Sequence, residues 1–306
     1  MKLLYAGAGA VGGFLAARTS ASGHDVTVLV RPARAKRLRA EGLRLSGTVK
    51  AVARPAVVTA GQLTGRFDAV IIAVKADALR SLLQDLAPAV GPHTLLVPFL
   101  NGMAHMDALT GSFGQAVAGG VLRVATDLDD DGAVRVLNPL FEAEIGELDG
   151  GPGSRLEPLA AALRSAGADV TVSRTIIDDM WAKWVSIASV GAITGLLRAP
   201  IGMVAATPGG EAFARTIVAE AASVAAEASH PLAAGRLDRL VRMVTAADSP
   251  LTSSLSRDVL AGRPTEVEAV LGDLVRRAHA AGIGTPALDA ATLALRVHNR
   301  SLQRSR

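Results

Sequence analysis

Short apolar runs alternate with helically spaced segments along the first part of the chain. Four runs are typical of strands buried on both faces of a parallel sheet, at residues 2–6, 24–30, 67–74 and 94–98. A helical pattern follows the first run, from about Ala10 to Ser22. Strands that alternate with helices predict βαβ units and therefore a parallel sheet.

The pattern changes after the fourth run. Small and apolar residues alternate from Gln115 to Asn138 around an Asp-rich turn at residues 127–132, which predicts a β-hairpin. Further elements are expected in the order strand, helix and short strand, at residues 142–147, 156–166 and 169–173.

Strand signals stop at about Arg174. Helical spacing then dominates, over residues 176–197, 210–228, 232–247 and 266–281. Prolines stand near the starts of these segments, where their fixed φ and missing N–H are tolerated. We therefore predict two domains, an α/β domain over residues 1–174 and an all-α domain over residues 175–306.

The composition narrows the classes of partner. Half of the 306 residues are hydrophobic but only 3% are aromatic, and the formal net charge is +4. Nucleic-acid binding is not favoured, because the densest basic run, Arg31–Arg39, holds Ala and Leu at helical spacing and no aromatic residues to stack bases. A basic surface also suits an anionic cofactor or substrate.

Two kinds of site are not expected. The chain has no cysteine, which excludes disulfides and thiolate chemistry. Its six histidines are spread singly without metal-ligand spacing, so we expect no metal centre.

The N-terminal segment could be a signal peptide or a buried strand followed by a turn and a helix. Four glycines between Gly7 and Gly13 would weaken a signal-peptide helix, which favours the second interpretation. No other apolar stretch reaches the roughly 18–20 uninterrupted residues of a membrane span. We therefore expect a soluble cytoplasmic protein that does not bind membranes.

A glycine-rich loop, Gly7-Ala-Gly-Ala-Val-Gly12, separates the first strand from the first helix. In this context G-x-G-x-x-G predicts a Rossmann-type dinucleotide-binding domain; the alternative is a plain strand–turn–helix. Gly7 permits the tight turn, Gly9 lets the backbone approach a pyrophosphate, and Gly12 lets helix and strand pack closely. Ala10 and Val11 open the helix, whose free N–H groups and dipole favour the anion.

The end of the second strand distinguishes NADH from NADPH. An acidic residue there would bind the ribose hydroxyls, but this sequence has Arg31, with Arg34 close by. A guanidinium suits a 2′-phosphate through bidentate, charge-assisted hydrogen bonds. We therefore expect NADPH, although both arginines could also be solvated residues at a helix start.

Polar residues follow two further strands of the predicted sheet. Lys75 comes directly after the run at 67–74, and Asn101-Gly102 follows the run at 94–98. Ligands of open α/β folds bind at the carboxyl ends of their strands. Both residues are therefore candidates for contacts with cofactor or substrate, although Asn-Gly is also ordinary turn chemistry.

These motifs together resemble those of the ketopantoate reductase (2-dehydropantoate 2-reductase) family, along nearly the whole chain. Beyond the glycine loop and Arg31, the matching pieces are Ala73-Val-Lys75, Asn101-Gly-Met103, Trp181-Ala-Lys183, Ser254-Leu-Ser-Arg-Asp258 and Gly262-Arg-Pro-Thr-Glu266.

The resemblance implies a role for each matching residue. Lys183 would hydrogen-bond the substrate ketone and supply its proton, and Glu266 would hold the hydroxyl of the product and orient the substrate. Asn101 would lie between lysine, nicotinamide and substrate. Lys75 would help to hold the cofactor, and Ser254 would contact the carboxylate end of the substrate. An ammonium at the ketone oxygen stabilises the charge that hydride transfer places there.

The chain departs from the family on the helix that carries the lysine. Family members present asparagines four and eight residues beyond it, on the same face, and these positions are Ile187 and Gly191 here. Two other positions that are asparagine in some members are Ile201 and Leu251. Each lost hydrogen bond removes about 0.5–1.5 kcal/mol. We expect a pocket retuned for a larger or more apolar ketone, with Gly191 opening space in it.

Several alternatives stay open. The chain could be an authentic 2-dehydropantoate 2-reductase whose polar groups come from loops. A dehydrogenase of the β-hydroxyacid or 6-phosphogluconate type also joins a Rossmann domain to helices, but the stretch at 262–266 speaks against it. A non-catalytic NADPH-binding protein would fit the lost asparagines, but not the retained Lys183, Asn101 and Glu266. The family is often oligomeric, which makes a homodimer one expectation.

Overall fold

The computed structural model describes residues 1–304, which form two compact units. The α/β unit comprises residues 1–100 and 105–176. The helical unit comprises residues 101–104 and the chain from Ile177 onward. The short segment 101–104, which follows the last strand of the first sheet, thus packs with the helices.

Ten strands lie in the α/β unit. They are β1 (Lys2–Ala6), β2 (Asp25–Leu29), β3 (Leu43–Gly47), β4 (Ala51–Ala53), β5 (Ala56–Val58), β6 (Ala69–Ile72), β7 (Leu95–Pro98), β8 (Gly119–Leu128), β9 (Val134–Gly146) and β10 (Asp169–Val172). The described part of the chain has no strand beyond Val172, which agrees with the predicted all-α character of the second half.

The described helices are distributed over both units. They are α1 (Ala10–Ala21), α2 (Pro32–Glu41), α3 (Leu79–Leu86), α4 (Ala104–Phe113), α5 (Glu157–Ser165), α6 (Ile176–Leu197), α7 (Ile201–Ala206), α8 (Gly210–Glu227), α9 (Ala234–Val244), α10 (Ser254–Leu260), α11 (Asp273–Ala280) and α12 (Pro286–Arg304).

The first sheet is parallel, with strand order β5-β2-β1-β6-β7. The last four residues of β1 are fully buried, as its continuous apolar sequence predicts. The predicted Rossmann-type sheet is therefore present. Strands β2 and β6 are shorter than the apolar runs at 24–30 and 67–74, because the runs continue into the loops at their ends.

A second sheet, with order β10-β9-β3-β4 and β8 paired to β9, lies in the same unit. Strands β8 and β9 form the predicted hairpin. The expectation of a separate strand at 142–147 is wrong, because β9 runs unbroken from Val134 to Gly146. Its pairing with β8 shifts between Val124 and Thr126, so residues 137–140 form a bulge. Asn138-Pro139 within this bulge interrupts the alternation that marks a single strand.

Elements between residues 32 and 58 were not predicted. Helix α2 buries only Ala35 and Leu38, and β4 and β5 are three residues long. Such short or polar elements leave a weak periodic signal, and neighbouring strands determine their conformation.

Helix α6 is the core helix of the helical unit. It covers residues 176–197 as predicted, and it is long and apolar enough to cross a membrane. However, 67% of its most apolar window is buried inside the protein. The segment predicted as one helix over 266–281 is irregular at its start. A π-helical turn at Glu268–Gly272 precedes α11 there.

Candidate functional site

The glycine loop has the geometry that a dinucleotide needs. Gly7 has φ of +98°, a conformation that favours glycine. A Cβ on Gly12 would collide with the Gly7 carbonyl oxygen, whereas a Cβ on Gly9 would meet no atom within 4 Å. Open space at Gly9, in front of the first turn of α1, leaves room for a pyrophosphate against the free N–H groups. The loop therefore fits the predicted cofactor.

Arg31 and Arg34 have different surroundings. Arg31 is the N-cap residue of α2 and is exposed. Arg34 is half-buried and donates hydrogen bonds to the carbonyl oxygens of Ala8 (3.3 Å) and Gly132 (2.9 Å). Arg31 is thus accessible to a phosphate, while two N–H groups of Arg34 hold the glycine loop and the β8–β9 turn.

Arg34 also sits in a basic cluster. Burial, followed by the charges of Arg37 and Arg44, lowers the pKa of the Arg34 guanidinium. Arg37 and Arg44 donate to the carbonyl oxygens of Asp130 and Asp131 in the same turn. Arg44 is also ion-paired with the carboxylates of Glu41 (3.0 Å) and Asp131 (3.1 Å), which offset part of the positive charge beside the glycine loop. The sequence placed Arg34 near Arg31 but carried no signal of its contact with Ala8.

Lys75 is exposed and precedes a single 3₁₀ turn, Ala76–Ala78. The two residues before it pack on the glycine loop. A Cβ on Gly7 would lie 2.7 Å from the Ala73 carbonyl oxygen and 2.9 Å from Val74 Cγ1. Lys75 therefore lies just beyond the carboxyl end of β6, next to the glycine loop.

Asn101 is half-buried in the segment that packs with the helical unit. The following residue, Gly102, has φ of +79°, and a Cβ on it would collide with the Ala269 carbonyl oxygen in the π-helical turn. The same Cβ would lie 3.8 Å from Trp184 Nε1. Asn101 therefore adjoins the elements that carry the other two predicted catalytic residues.

Lys183 lies on α6 and is half-buried. Its neighbour Trp184 is 1% exposed and donates a hydrogen bond from Nε1 to the Val270 carbonyl oxygen at 2.8 Å. Trp181 packs on Trp184 with ring centroids 4.9 Å apart. Trp184 thus anchors this part of α6 to the π-helical turn, and Trp181 packs against Trp184.

Glu266 is half-buried and directly precedes the helical segment. Its carbonyl oxygen accepts hydrogen bonds from Ala269 (3.2 Å) and Val270 (3.1 Å). The residues that contact Gly102 and Trp184 are therefore the same two that bond to Glu266. Chain segments with Asn101, Lys183 and Glu266 meet at one place, although they are far apart in sequence.

The expectation that Gly191 opens space is wrong. A Cβ on Gly191 would lie 3.0 Å from Leu255 Cδ1 and 3.7 Å from Val270 Cγ1. Gly191 is buried and Leu255 is 2% exposed. The side chain of Leu255 occupies the space that a side chain on residue 191 would take. This end of the helix face is therefore apolar and closed. Ile187, one turn nearer to Lys183, is half-buried.

Two adjacent serines at the start of α10 differ. Ser253 is the N-cap: its Oγ accepts a hydrogen bond from Ser256 N at 2.9 Å and lies 2.8 Å from Thr194 Oγ1. Ser254, the predicted substrate contact, is exposed. The hydroxyl of Thr194 also bonds to the Val190 carbonyl oxygen, so it is committed to structure.

Ile201 and Leu251, the other two departures from the family pattern, are joined by a backbone hydrogen bond of 2.9 Å from Ile201 N to Leu251 O. Ile201 is fully buried, so its side chain belongs to the core. Within residues 1–304, no group of three or more His, Asp or Glu residues is placed to hold a metal ion.

Comparison with known proteins identifies the family. The ketopantoate reductase PanE/ApbA family matches residues 4–150, and its C-terminal domain matches residues 175–299. An uncharacterised oxidoreductase of Bacillus subtilis, YkpB, is 33% identical over 291 residues, which cover 94% of this chain and 96% of that protein.

Two solved structures share the fold over 99% of this chain and 100% of theirs. A PanE/ApbA family ketopantoate reductase from Ralstonia eutropha has a TM-score of 0.87 at 27% identity. A D-mandelate dehydrogenase, solved with NADH and anilino(oxo)acetate, has a TM-score of 0.87 at 22% identity. The fold and the family match together show that this chain is an oxidoreductase of the ketopantoate reductase PanE/ApbA family.

Proposed function

We propose that this protein uses NADPH to reduce the ketone of a 2-oxo acid whose substituent is more apolar than that of ketopantoate. The observation that supports the chemistry is the meeting of the Asn101, Lys183 and Glu266 segments around one π-helical turn. The apolar, closed face formed by Ile187, Gly191 and Leu255 supports the substrate class.

Lys183 is the general acid of the proposed reaction. When bound, the coenzyme supplies a hydride to the carbonyl carbon. The Lys183 ammonium donates a hydrogen bond to the carbonyl oxygen, stabilises the negative charge that develops there, and transfers its proton to form the alcohol. Asn101 donates a second hydrogen bond to the substrate near its carbonyl oxygen. The Glu266 carboxylate accepts from the product hydroxyl and fixes its orientation.

The α/β unit provides the proposed coenzyme site. Gly7, Gly9 and Gly12 shape a loop that brings backbone N–H groups of Ala10 and Val11 to the pyrophosphate. Arg31 binds the 2′-phosphate of NADPH, since it is exposed at the end of β2 and its guanidinium matches a phosphate. Lys75 adds a positive charge beside the loop.

The proposed substrate face combines one polar anchor with apolar walls. Ser254, exposed at the start of α10, binds the carboxylate end of the substrate. Ile187 replaces a polar side chain, and Leu255 occupies the position where an asparagine on residue 191 would lie. Burying a methylene of the substrate here gains about 0.8 kcal/mol, whereas an unpaired hydroxyl buried at the same place costs about 1–3 kcal/mol.

An authentic 2-dehydropantoate 2-reductase is the second candidate. The ketopantoate reductase from Ralstonia eutropha, at 27% identity over nearly the whole chain, favours it. It requires that groups other than residues 187 and 191 bind the substrate hydroxyl.

Steady-state kinetics separates these candidates. The rate of NADPH and NADH oxidation is measured with ketopantoate, with branched aliphatic 2-oxo acids and with an aryl 2-oxo acid. We expect kcat/KM to be at least about tenfold higher for one of the apolar substrates, equivalent to about 1.4 kcal/mol. A higher kcat/KM for ketopantoate would identify the second candidate.

Two variants of Lys183 test the chemistry itself. Lys183→Ala removes both charge and proton donor, and we expect kcat to fall by about 10²–10⁴-fold. Lys183→Arg keeps a charge but does not release a proton, so it should recover only part of this loss. The exposed Lys36→Ala serves as the control. Tight coenzyme binding without turnover of any ketone would instead indicate a non-catalytic protein.

A further inference from the structure

The π-helical turn at Glu268–Gly272 is an unusual element at the place where the candidate catalytic segments meet. A π-turn inserts one residue into a helix and weakens its regular backbone hydrogen bonding, and such turns are frequent at functional sites. In this turn, the Val270 carbonyl oxygen accepts a bond from a side chain, Trp184 Nε1, at 2.8 Å. The irregular backbone is therefore tied to α6.

The loop with Asn101 contacts the same turn from another direction. Gly102 approaches the Ala269 carbonyl oxygen so closely that no side chain fits between them. A Cβ on Gly102 would also be 3.8 Å from Trp184 Nε1. Only glycine permits both this approach and the φ of +79° at that position.

The indole of Trp184 is fixed in place. It is 1% exposed and packs on Trp181, and the Arg277 guanidinium lies 5.7 Å from its ring centroid. Arg277 is itself bonded to the buried carboxylate of Asp273 at 3.2 Å. An indole that is buried, packed and hydrogen-bonded through its N–H is held in one orientation. The position of the turn therefore determines the position of this part of α6.

We propose that Trp184 is a positioning residue, whose bond to Val270 sets the placement of Lys183 relative to Asn101 and Glu266. Asn101 adjoins the residue that contacts Ala269, Lys183 adjoins Trp184, and Glu266 bonds through its carbonyl to both Ala269 and Val270. The inference rests on the proposed reductase function. It adds that the indole N–H, and not only the packed ring, is needed for the chemical step.

Trp184→Phe is the direct test, since it keeps an aromatic ring and removes the N–H. A displacement of about 1 Å in a catalytic group can cost about 100-fold, so we expect kcat to fall by about 10- to 100-fold. KM and the coenzyme Kd should change by less than about threefold, and the basic limb of the kcat–pH profile should move. Trp181→Phe alters the packing on Trp184 but keeps the Trp184 hydrogen bond to Val270, so it should lower kcat by less than Trp184→Phe does.

Gly102→Ala tests the same contact from the other side. It introduces a Cβ against the Ala269 carbonyl oxygen and 3.8 Å from Trp184 Nε1, while residues 183 and 184 themselves stay unchanged. We expect the same pattern as for Trp184→Phe, a lower kcat with little change in coenzyme affinity. If both variants keep wild-type kcat and pH dependence, or lose activity only in proportion to the unfolded fraction, the positioning role is overturned.

Hydrogen–deuterium exchange provides a readout that does not depend on turnover. Trp184→Phe should increase exchange in peptides covering residues 101–104 and 266–272 more than Trp181→Phe does. Unchanged exchange in both peptides would overturn the inference, even if the wild-type protein reduces 2-oxo acids. Conversely, a wild-type protein without turnover would refute the proposed function, and increased exchange would still support the coupling of these segments through Trp184.

Discussion

Leu255 packs directly over Gly191, with Leu255 Cδ1 3.0 Å from the place that a Cβ on residue 191 would take. Leucine thus fills the space where family members carry an asparagine, and at this point α10 approaches α6 through an apolar side chain. Because α10 begins with Ser254, the same contact places the proposed carboxylate anchor. We therefore expect substrate preference and helix packing to be linked through this pair.

Gly191→Asn should destabilise the protein by about 1–3 kcal/mol, because the new side chain overlaps Leu255. Leu255→Ala alone should cost about 2–5 kcal/mol through the cavity it leaves. The double variant should cost less than the sum, by about 0.5–3 kcal/mol, and should raise kcat/KM for ketopantoate relative to an apolar 2-oxo acid. Urea denaturation and steady-state kinetics measure these effects.

The control is Gly195→Asn, at a buried position on the same helix where a Cβ would lie 3.3 Å from Leu295. It should destabilise the protein without changing substrate preference, and Leu255→Ala should not compensate for it. Strictly additive energies for Gly191→Asn and Leu255→Ala would contradict a shared space.

Arg31→Ala should weaken binding of NADPH by about 10- to 150-fold. A hydrogen bond to a charged group contributes about 1.5–3 kcal/mol, and the variant loses this contribution. The Kd of NADH should change little, because NADH lacks the 2′-phosphate. Arg34→Ala should weaken both coenzymes, since Arg34 holds the glycine loop through the Ala8 carbonyl oxygen. Fluorescence titration gives all four values, with the exposed Lys36→Ala as control. Equal losses for both coenzymes in Arg31→Ala would refute the phosphate role.

Replacing Ser253 or Ser254 by alanine should have different effects, one on stability and the other on substrate binding. Ser253→Ala removes the N-cap of α10 and its contact with Thr194, and should cost about 0.5–2 kcal/mol of stability. Ser254→Ala should leave stability within about 0.5 kcal/mol and raise KM for the 2-oxo acid. Thermal unfolding and kinetics on the two variants check this; an unchanged KM in Ser254→Ala would remove it from the substrate site.

The Glu268–Arg296 ion pair at the start of the π-helical turn should make stability sensitive to acid. Two hydrogen bonds of 2.7 Å from Arg296 hold the pKa of Glu268 below its usual value of 4.5. A depressed carboxyl pKa stabilises the folded state above pH 4.5, and this contribution is lost as the pH falls through the folded value. Since the pair is largely exposed, the effect should be below about 1 kcal/mol.

Glu268→Gln isolates this contribution. The stability difference between wild type and variant should be largest near neutral pH and shrink below pH 4.5, as followed by urea denaturation at several pH values. A difference that stays constant with pH would mean that Glu268 stabilises the turn through packing alone.

Much of the fold follows from local sequence. The strand–glycine–helix pattern at residues 2–22 and the apolar run at 176–197 carry strong periodic signals, because continuous burial leaves few polar residues. The single strand β9 was divided in the prediction, because its bulge at 137–140 resembles a turn locally. Helix α2 gave only a basic run with helical spacing, since just two of its residues are buried.

The sequence by itself determined the two-part organisation, the glycine loop, the family and the residue types available for chemistry. All of these depend on contiguous motifs and on their order along the chain. Only the tertiary structure decided that Leu255 fills the place beside Gly191 and that Trp184 reaches Val270, 86 residues away. Such contacts arise from packing between segments distant in sequence, and no local pattern of residues specifies them.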